Sequence, residues 1–130
     1  MFEIGVDIEK VERFKNKTLD KDSHFLKTIF TDAELEYSFS DGHYAQHLCA
    51  RFCAKEATMK ALSAMGLKNI TLKDIEILNN KEGVPQLKIK NCKEMKTKVS
   101  LSHTSDSAIA FVFVETICIC RNNIIYEELI

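Results

Sequence analysis

Leu48-Cys49-Ala50-Arg51-Phe52-Cys53-Ala54-Lys55-Glu56-Ala57-Thr58-Met59-Lys60-Ala61-Leu62-Ser63-Ala64 contains neither Gly nor Pro. It is rich in Ala, Leu, Met, Lys and Glu, the strong helix formers, so it reads as one long helix. At about 100° per residue it carries two apolar stripes. Leu48, Phe52, Met59 and Leu62 make the large one; Ala50, Ala54, Ala57 and Ala61 make a small one on nearly the opposite side. A helix apolar on two sides is sandwiched rather than laid on a surface, and the Ala side admits close approach by a sheet or helix. Lys55 falls inside the large stripe, where a charge is costly unless its stem snorkels or its head meets an anion. Glu56 and Lys60 are spaced as an i,i+4 pair. They read either as a surface ion pair or as a carboxylate and an ammonium presented together at a phosphate or metal site.

Working outward, the first strand precedes this helix. Phe2, Ile4, Val6 and Ile8 alternate with Glu3, Gly5, Asp7 and Glu9, the pattern of a strand with one buried face. Asp7 lies on the face opposite the apolar row. Gly5, two residues earlier on that face, leaves room for a backbone or a ligand. Lys10 to Lys17 reads as a short helix with Val11 and Phe14 facing in and with Lys10, Arg13 and Lys17 on one face. That basic face could steer an acidic protein partner. Ser23 could start a helix carrying Phe25, Leu26, Ile29 and Phe30. Thr31-Asp32-Ala33-Glu34 fits a capping box for the next, which ends near Asp41-Gly42. The long helix begins near His43 and stops at Met65-Gly66, with Gly66 suited to the left-handed position.

Beyond Gly66 the period changes. Asp74 to Leu78 and Gln86 to Ile89 read as strands about the turn Asn79 to Gly83, and Val99 to Thr104 pairs with Ala108 to Glu115 across Ser105-Asp106-Ser107. Two hairpins imply an antiparallel sheet. Helices grouped between the first strand and the others make the class α+β, an antiparallel sheet packed around a long central helix. Lys90 to Lys98 reads as a loop or short helix. The chain reads as one domain over residues 1–130, with a C-terminal strand or tail from about residue 116. His103, in Leu101-Ser102-His103-Thr104-Ser105, is either a hydrogen-bonded core histidine or part of a phosphate or ribose contact.

The 130 residues are 45% hydrophobic and 28% charged, with a net charge of −1. That balance argues against nucleic-acid binding by bulk charge. No apolar run is long enough to span a membrane. Met1-Phe2-Glu3-Ile4 has no basic leader or signal core, so a cytoplasmic location is expected. The five Cys are odd in number and two lie in the long helix, which fits reduced thiols rather than a disulfide framework. A zinc set drawn from His47, Cys49, Cys53, Cys118 and Cys120 has no standard ligand spacing.

Three segments together resemble a known family. They are Gly5-Val6-Asp7-Ile8 with Arg13-Phe14, then Arg51-Phe52-Cys53-Ala54-Lys55-Glu56-Ala57 with Lys60-Ala61, then Ser102-His103-Thr104. Phe30-Thr31 with Glu34-Leu35, and Gly83-Val84-Pro85, fall between them as further landmarks. The order and spacing are similar to the holo-acyl-carrier-protein synthases of the 4′-phosphopantetheinyl transferase superfamily. The resemblance implies transfer of phosphopantetheine from coenzyme A to a serine of apo-acyl carrier protein in fatty acid biosynthesis, with release of adenosine 3′,5′-bisphosphate. It implies magnesium held by Asp7 and Glu56, with Lys60 and Arg51 near the coenzyme A phosphates and Ser102 and His103 nearby, contributed by a neighbouring copy of a homotrimer. It places Arg13, within the Lys10, Arg13, Lys17 face, against the carrier. The alternative is a catalytically silent module of the same fold that binds coenzyme A or the carrier. This chain departs from the family's frequent Gly-x-Gly turn after the long helix, having Ser63-Ala64-Met65-Gly66-Leu67 there.

Overall fold

The computed structural model describes residues 1–92 and 94–116; the expected C-terminal strand or tail beyond Thr116 lies outside them. In order, the chain forms β1 (Phe2–Lys10), a 3₁₀ turn (Val11–Phe14), α1 (Leu19–Ile29), α2 (Asp32–Ser38) and α3 (Tyr44–Ala64). A second 3₁₀ turn (Leu72–Asp74), β2 (Ile75–Asn79), β3 (Pro85–Ile89), β4 (Met95–His103) and β5 (Ser107–Thr116) follow. β1, β5 and β4 form one antiparallel sheet in that order, and β2 and β3 pair in a second. The two sheets meet where Thr97 Oγ1 of β4 donates to the Leu87 carbonyl of β3 at 2.6 Å. The arrangement is the α+β one expected.

α3 runs between the sheets and supplies much of the core. Leu48, Cys49, Phe52, Cys53, Ala54, Ala57, Ala61 and Leu62 are all buried, which is why the helix is apolar on two sides. The Cys53 thiol is pushed far above its usual range by its hydrogen bond with Cys49 and by burial; both act as small hydrophobes. Gly66 ends the helix at φ +88°, and its N–H donates to the Ser63 carbonyl at 3.0 Å. The capping box at α2 forms as expected, with Glu34 N–H donating to Thr31 Oγ1 and Thr31 N–H to Glu34 Oε1.

Four expectations change. The apolar row of β1 faces away from the core: Phe2, Ile4, Val6 and Ile8 are 49–66% exposed, and Gly5, Asp7 and Glu9 lie on the α3 side. Alternation gives the two faces but not which one the helix covers. Here Gly5 decides, because only a residue without a side chain permits the helix backbone to approach so closely. The expected helix over Lys10 to Lys17 closes at Phe14. Asn16 takes φ +67°, and Thr18 then caps α1 by accepting from Lys21 N–H. α1 itself starts earlier than Ser23, with a kink at Asp22. Lys90 to Lys98 ends as strand, because β4 begins at Met95 opposite Thr116.

Candidate active site

The site begins with the contact between β1 and α3. A Cβ built on Gly5 would lie 1.8 Å from the Ala57 carbonyl oxygen, so the backbones touch there. Two residues along β1, Asp7 is brought beside the next turn of α3. Lys60 Nζ donates to Asp7 Oδ1 at 3.2 Å and to the Val6 carbonyl at 2.9 Å. The Asp7 side chain is 14% exposed and that of Lys60 57%. Lys60 thus pairs across to β1 rather than back along the helix to Glu56. The second Asp7 oxygen, Oδ2, is buried and accepts no hydrogen bond. Leaving a buried carboxylate oxygen unpartnered costs roughly 1–3 kcal/mol or more, so such an atom marks a place for a cation or donor.

Glu56, on the same side of α3, carries a carboxyl raised above its usual range. Desolvation is the main cause, followed by repulsion from Asp7 and Glu9, with Arg13 and Lys60 opposing. Besides being partly desolvated, the Glu56 carboxylate therefore feels the charge of Asp7 from the β1 side. Among the described residues, no three His, Cys, Asp or Glu side chains gather to hold a metal. A pair of carboxylates suits magnesium, which takes one or two protein oxygens and fills its octahedron with water and substrate phosphate. The residues present fit that ion.

The other expected residues are distributed around this centre. Arg51 is 2% exposed and points toward β2. Its Nε donates to the Ile77 carbonyl at 3.1 Å and its Nη1 to that of His47 at 3.4 Å, and the guanidinium lies 4.2 Å over the Tyr37 ring. The structure thus does not bring Arg51 to the Asp7–Lys60 pair. Ser102 and His103 end β4 and are exposed; they pair in register with Ile109 and Ala108 of β5, two strands from β1. Strands lie roughly 5 Å apart, so neither reaches Asp7 within the chain. Arg13 pairs with Glu9 at 3.2 Å and lies 4.5 Å over the Phe52 ring. Lys10 is exposed beside it. Lys17, beyond the break at Asn16, turns instead to Asp22 and the Phe25 ring. The basic residues therefore form an interrupted surface, not one helical face.

The sequence presents Glu34 as a capping-box residue and, with Leu35, as a landmark of the resemblance, but not as an ion-pair partner; its Oε1 sits 2.7 Å from Lys55 Nζ, with both side chains fully buried. The signal was present: a lysine in an apolar stripe needs an anion, and this one was within reach.

A family model described as 4′-phosphopantetheinyl transferase superfamily matches residues 3–112. The chain belongs to this superfamily. Among curated members, it is 43% identical over 111 residues to the holo-[acyl-carrier-protein] synthase of Thermodesulfovibrio yellowstonii, covering 85% of this chain and 96% of that one. It is 38% identical over 124 residues to the Clostridium tetani protein of the same name, covering 89% and 97%. Among solved structures, a Bacillus anthracis holo-(acyl-carrier-protein) synthase in complex with CoA (3′,5′-ADP) superposes with a TM-score of 0.72 at 28% identity, covering 88% of this chain and 96% of that one. The superfamily fold is thus the one the long helix and its flanking sheets describe.

Proposed function

We propose that this chain transfers the 4′-phosphopantetheine arm of coenzyme A to a serine of apo-acyl carrier protein, releasing adenosine 3′,5′-bisphosphate, with magnesium bound at Asp7 and Glu56. The observation that carries this reading is the buried, unpartnered Asp7 Oδ2 beside a second carboxylate and the Lys60 ammonium. The relatives' names supply the reaction, and the coenzyme A complex of the Bacillus anthracis protein supports the donor.

In the transfer, the carrier serine oxygen gives up its proton to a carboxylate or a water and bonds to the phosphorus that bears the pantetheine, and the bond from that phosphorus to the bridging oxygen breaks. Negative charge collects on the leaving phosphate. Magnesium, when bound, supplies Lewis-acid charge at the pyrophosphate. Asp7 offers Oδ2 on a strand and Glu56 its carboxylate on a packed helix, so neither holder has to be ordered on binding. Lys60, half open to solvent yet tethered to Val6 and Asp7, is placed to set its ammonium against the same phosphate. Lys10 and Arg13 present the positive charge that an acidic carrier needs, with Lys17 further along the surface.

The outer face of the β1–β5 sheet supports assembly with further copies. Phe2, Ile4, Val6, Ile8, Ile109 and Phe111 are each at least 40% exposed and adjoin in register. A contiguous apolar patch of this kind marks an interaction surface. A homotrimer would cover it and carry Ser102 and His103, at the end of β4, to the coenzyme A bound by a neighbour.

The test is incubation of the chain with coenzyme A, magnesium and apo-acyl carrier protein, followed by intact mass. The carrier should gain one phosphopantetheine, and chelation should stop it. Coenzyme A binding without any gain on the carrier would favour the silent binding module instead.

A further inference from the structure

Lys55 and Glu56 are neighbours on α3 and face different surroundings. The Lys55 ammonium has three protons and three acceptors: Glu34 Oε1 at 2.7 Å, the Leu72 carbonyl at 2.9 Å and, in close contact, the Ile75 carbonyl. Glu34 is equally occupied. Its Oε1 also accepts from Thr31 N–H and its Oε2 from Ile77 N–H, each at 2.9 Å. One ion pair therefore ties the start of α2, the second 3₁₀ turn and β2 to a single point on α3. Across the helix, the Gly5–Ala57 contact fixes the β1 side. Both anchors lie within two residues of Glu56.

A helix held at such anchors cannot turn about its axis. A side-chain tip sits roughly 6 Å from that axis, half the helix diameter, so a rotation of about 10° would carry the Glu56 carboxylate about 1 Å. A displacement of that size is enough to spoil a binding or catalytic geometry.

We infer that the Glu34–Lys55 pair is a positioning device: it fixes the rotation of α3 and so holds Glu56 within reach of Asp7, making divalent-cation affinity depend on a buried pair that touches neither cation nor substrate. The inference rests on the reading that Asp7 and Glu56 bind the cation together.

The test measures Mn²⁺ binding by electron paramagnetic resonance on the full chain, without coenzyme A or carrier. Glu34→Gln keeps the side chain's shape and removes its charge. Leu26→Ala, at a fully buried position on α1, serves as a variant destabilised away from the helix. Melting temperatures are recorded for both. Glu34→Gln should weaken Mn²⁺ binding at least tenfold while Leu26→Ala, at a similar loss of melting temperature, leaves it unchanged. If Glu34→Gln does not fold, Glu34→Asp, which withdraws the carboxylate by one methylene, is put to the same comparison. Unchanged Mn²⁺ affinity in the Glu34 variant, or an equal loss in Leu26→Ala, overturns the inference. Failure of the unmutated chain to bind Mn²⁺ overturns the two-carboxylate reading and this inference with it.

Discussion

Lys55 and Lys60 leave the same helix five residues apart, and their surroundings differ in nearly every respect. On the β2 side, Lys55 is fully buried, all its protons are used, and its partner Glu34 has no spare oxygen. On the β1 side, Lys60 is more than half exposed, and its partner Asp7 keeps one buried oxygen with nothing to accept from. The first arrangement is complete as it stands; the second leaves an oxygen open for the cation we propose. The presence of charge does not distinguish a structural ion pair from a site. Unfinished hydrogen bonding does so only together with a neighbouring carboxylate whose proton affinity has been raised, since Arg51 Nη2, on the β2 side, is also buried without a partner.

Breaking the completed side should have the largest effect on stability. Lys55→Met leaves Glu34 buried without its cation, which costs about 3–5 kcal/mol; urea unfolding measures it. Adding Glu34→Gln to that variant should recover part of the loss, because two neutral groups are cheaper to bury than one orphaned charge. Gly5→Ala comes next. Its Cβ meets backbone rather than a side chain, so β1 and α3 must part, at about 1–3 kcal/mol by analogy with overpacked cores. Calorimetry should show the lower melting temperature.

The unfinished side should respond in the opposite sense. Lys60→Met should change stability by less than about 1 kcal/mol, as an exposed pair does, while transfer to the carrier is lost in the intact-mass assay. Glu56→Gln should slightly stabilise the fold at neutral pH. Burial and the charges of Asp7 and Glu9 raise the Glu56 carboxyl above its ordinary value of 4.5, so the folded chain holds that proton more tightly than the unfolded one. The cost of ionising Glu56 is therefore absent below the ordinary value and complete above the raised one. The gain should amount to a few tenths of a kcal/mol in melting curves at pH 7 and vanish in acid.

The outer sheet face extends the comparison to assembly. Phe111→Glu sits on an exposed position, so a lone subunit should tolerate it within about 0.5 kcal/mol. Sedimentation velocity should nonetheless show smaller particles than the unmutated chain.

Much of this was legible in the sequence, for reasons that differ by residue. The long helix declares itself through helix formers and its two stripes, and its sandwiched position follows from them. The first strand shows its alternation but not its orientation. In a chain that buries one face in its own core and exposes apolar residues on the other, hydrophobicity stops marking the inside, and Gly5 was the better guide. Lys10, Arg13 and Lys17 read as one face because residue spacing carries no sign of the left-handed Asn16. Arg51 reads in sequence like its charged neighbours Glu56 and Lys60, yet it is enclosed by Tyr37 and Ile77. Its side of the helix is decided by where β2 packs, a long-range fact. Asp7 and Glu56 lie 49 positions apart in the chain; that the charge of one is felt by the other comes from the Gly5–Ala57 contact, which spacing cannot show.

The most direct test is magnesium-dependent transfer by the near-isosteric pair Asp7→Asn and Glu56→Gln, each folded and assayed beside the unmutated chain by intact mass of the carrier. The account predicts a phosphopantetheine gain with the unmutated chain and none with either variant. Transfer at the unmutated rate by either one would contradict it.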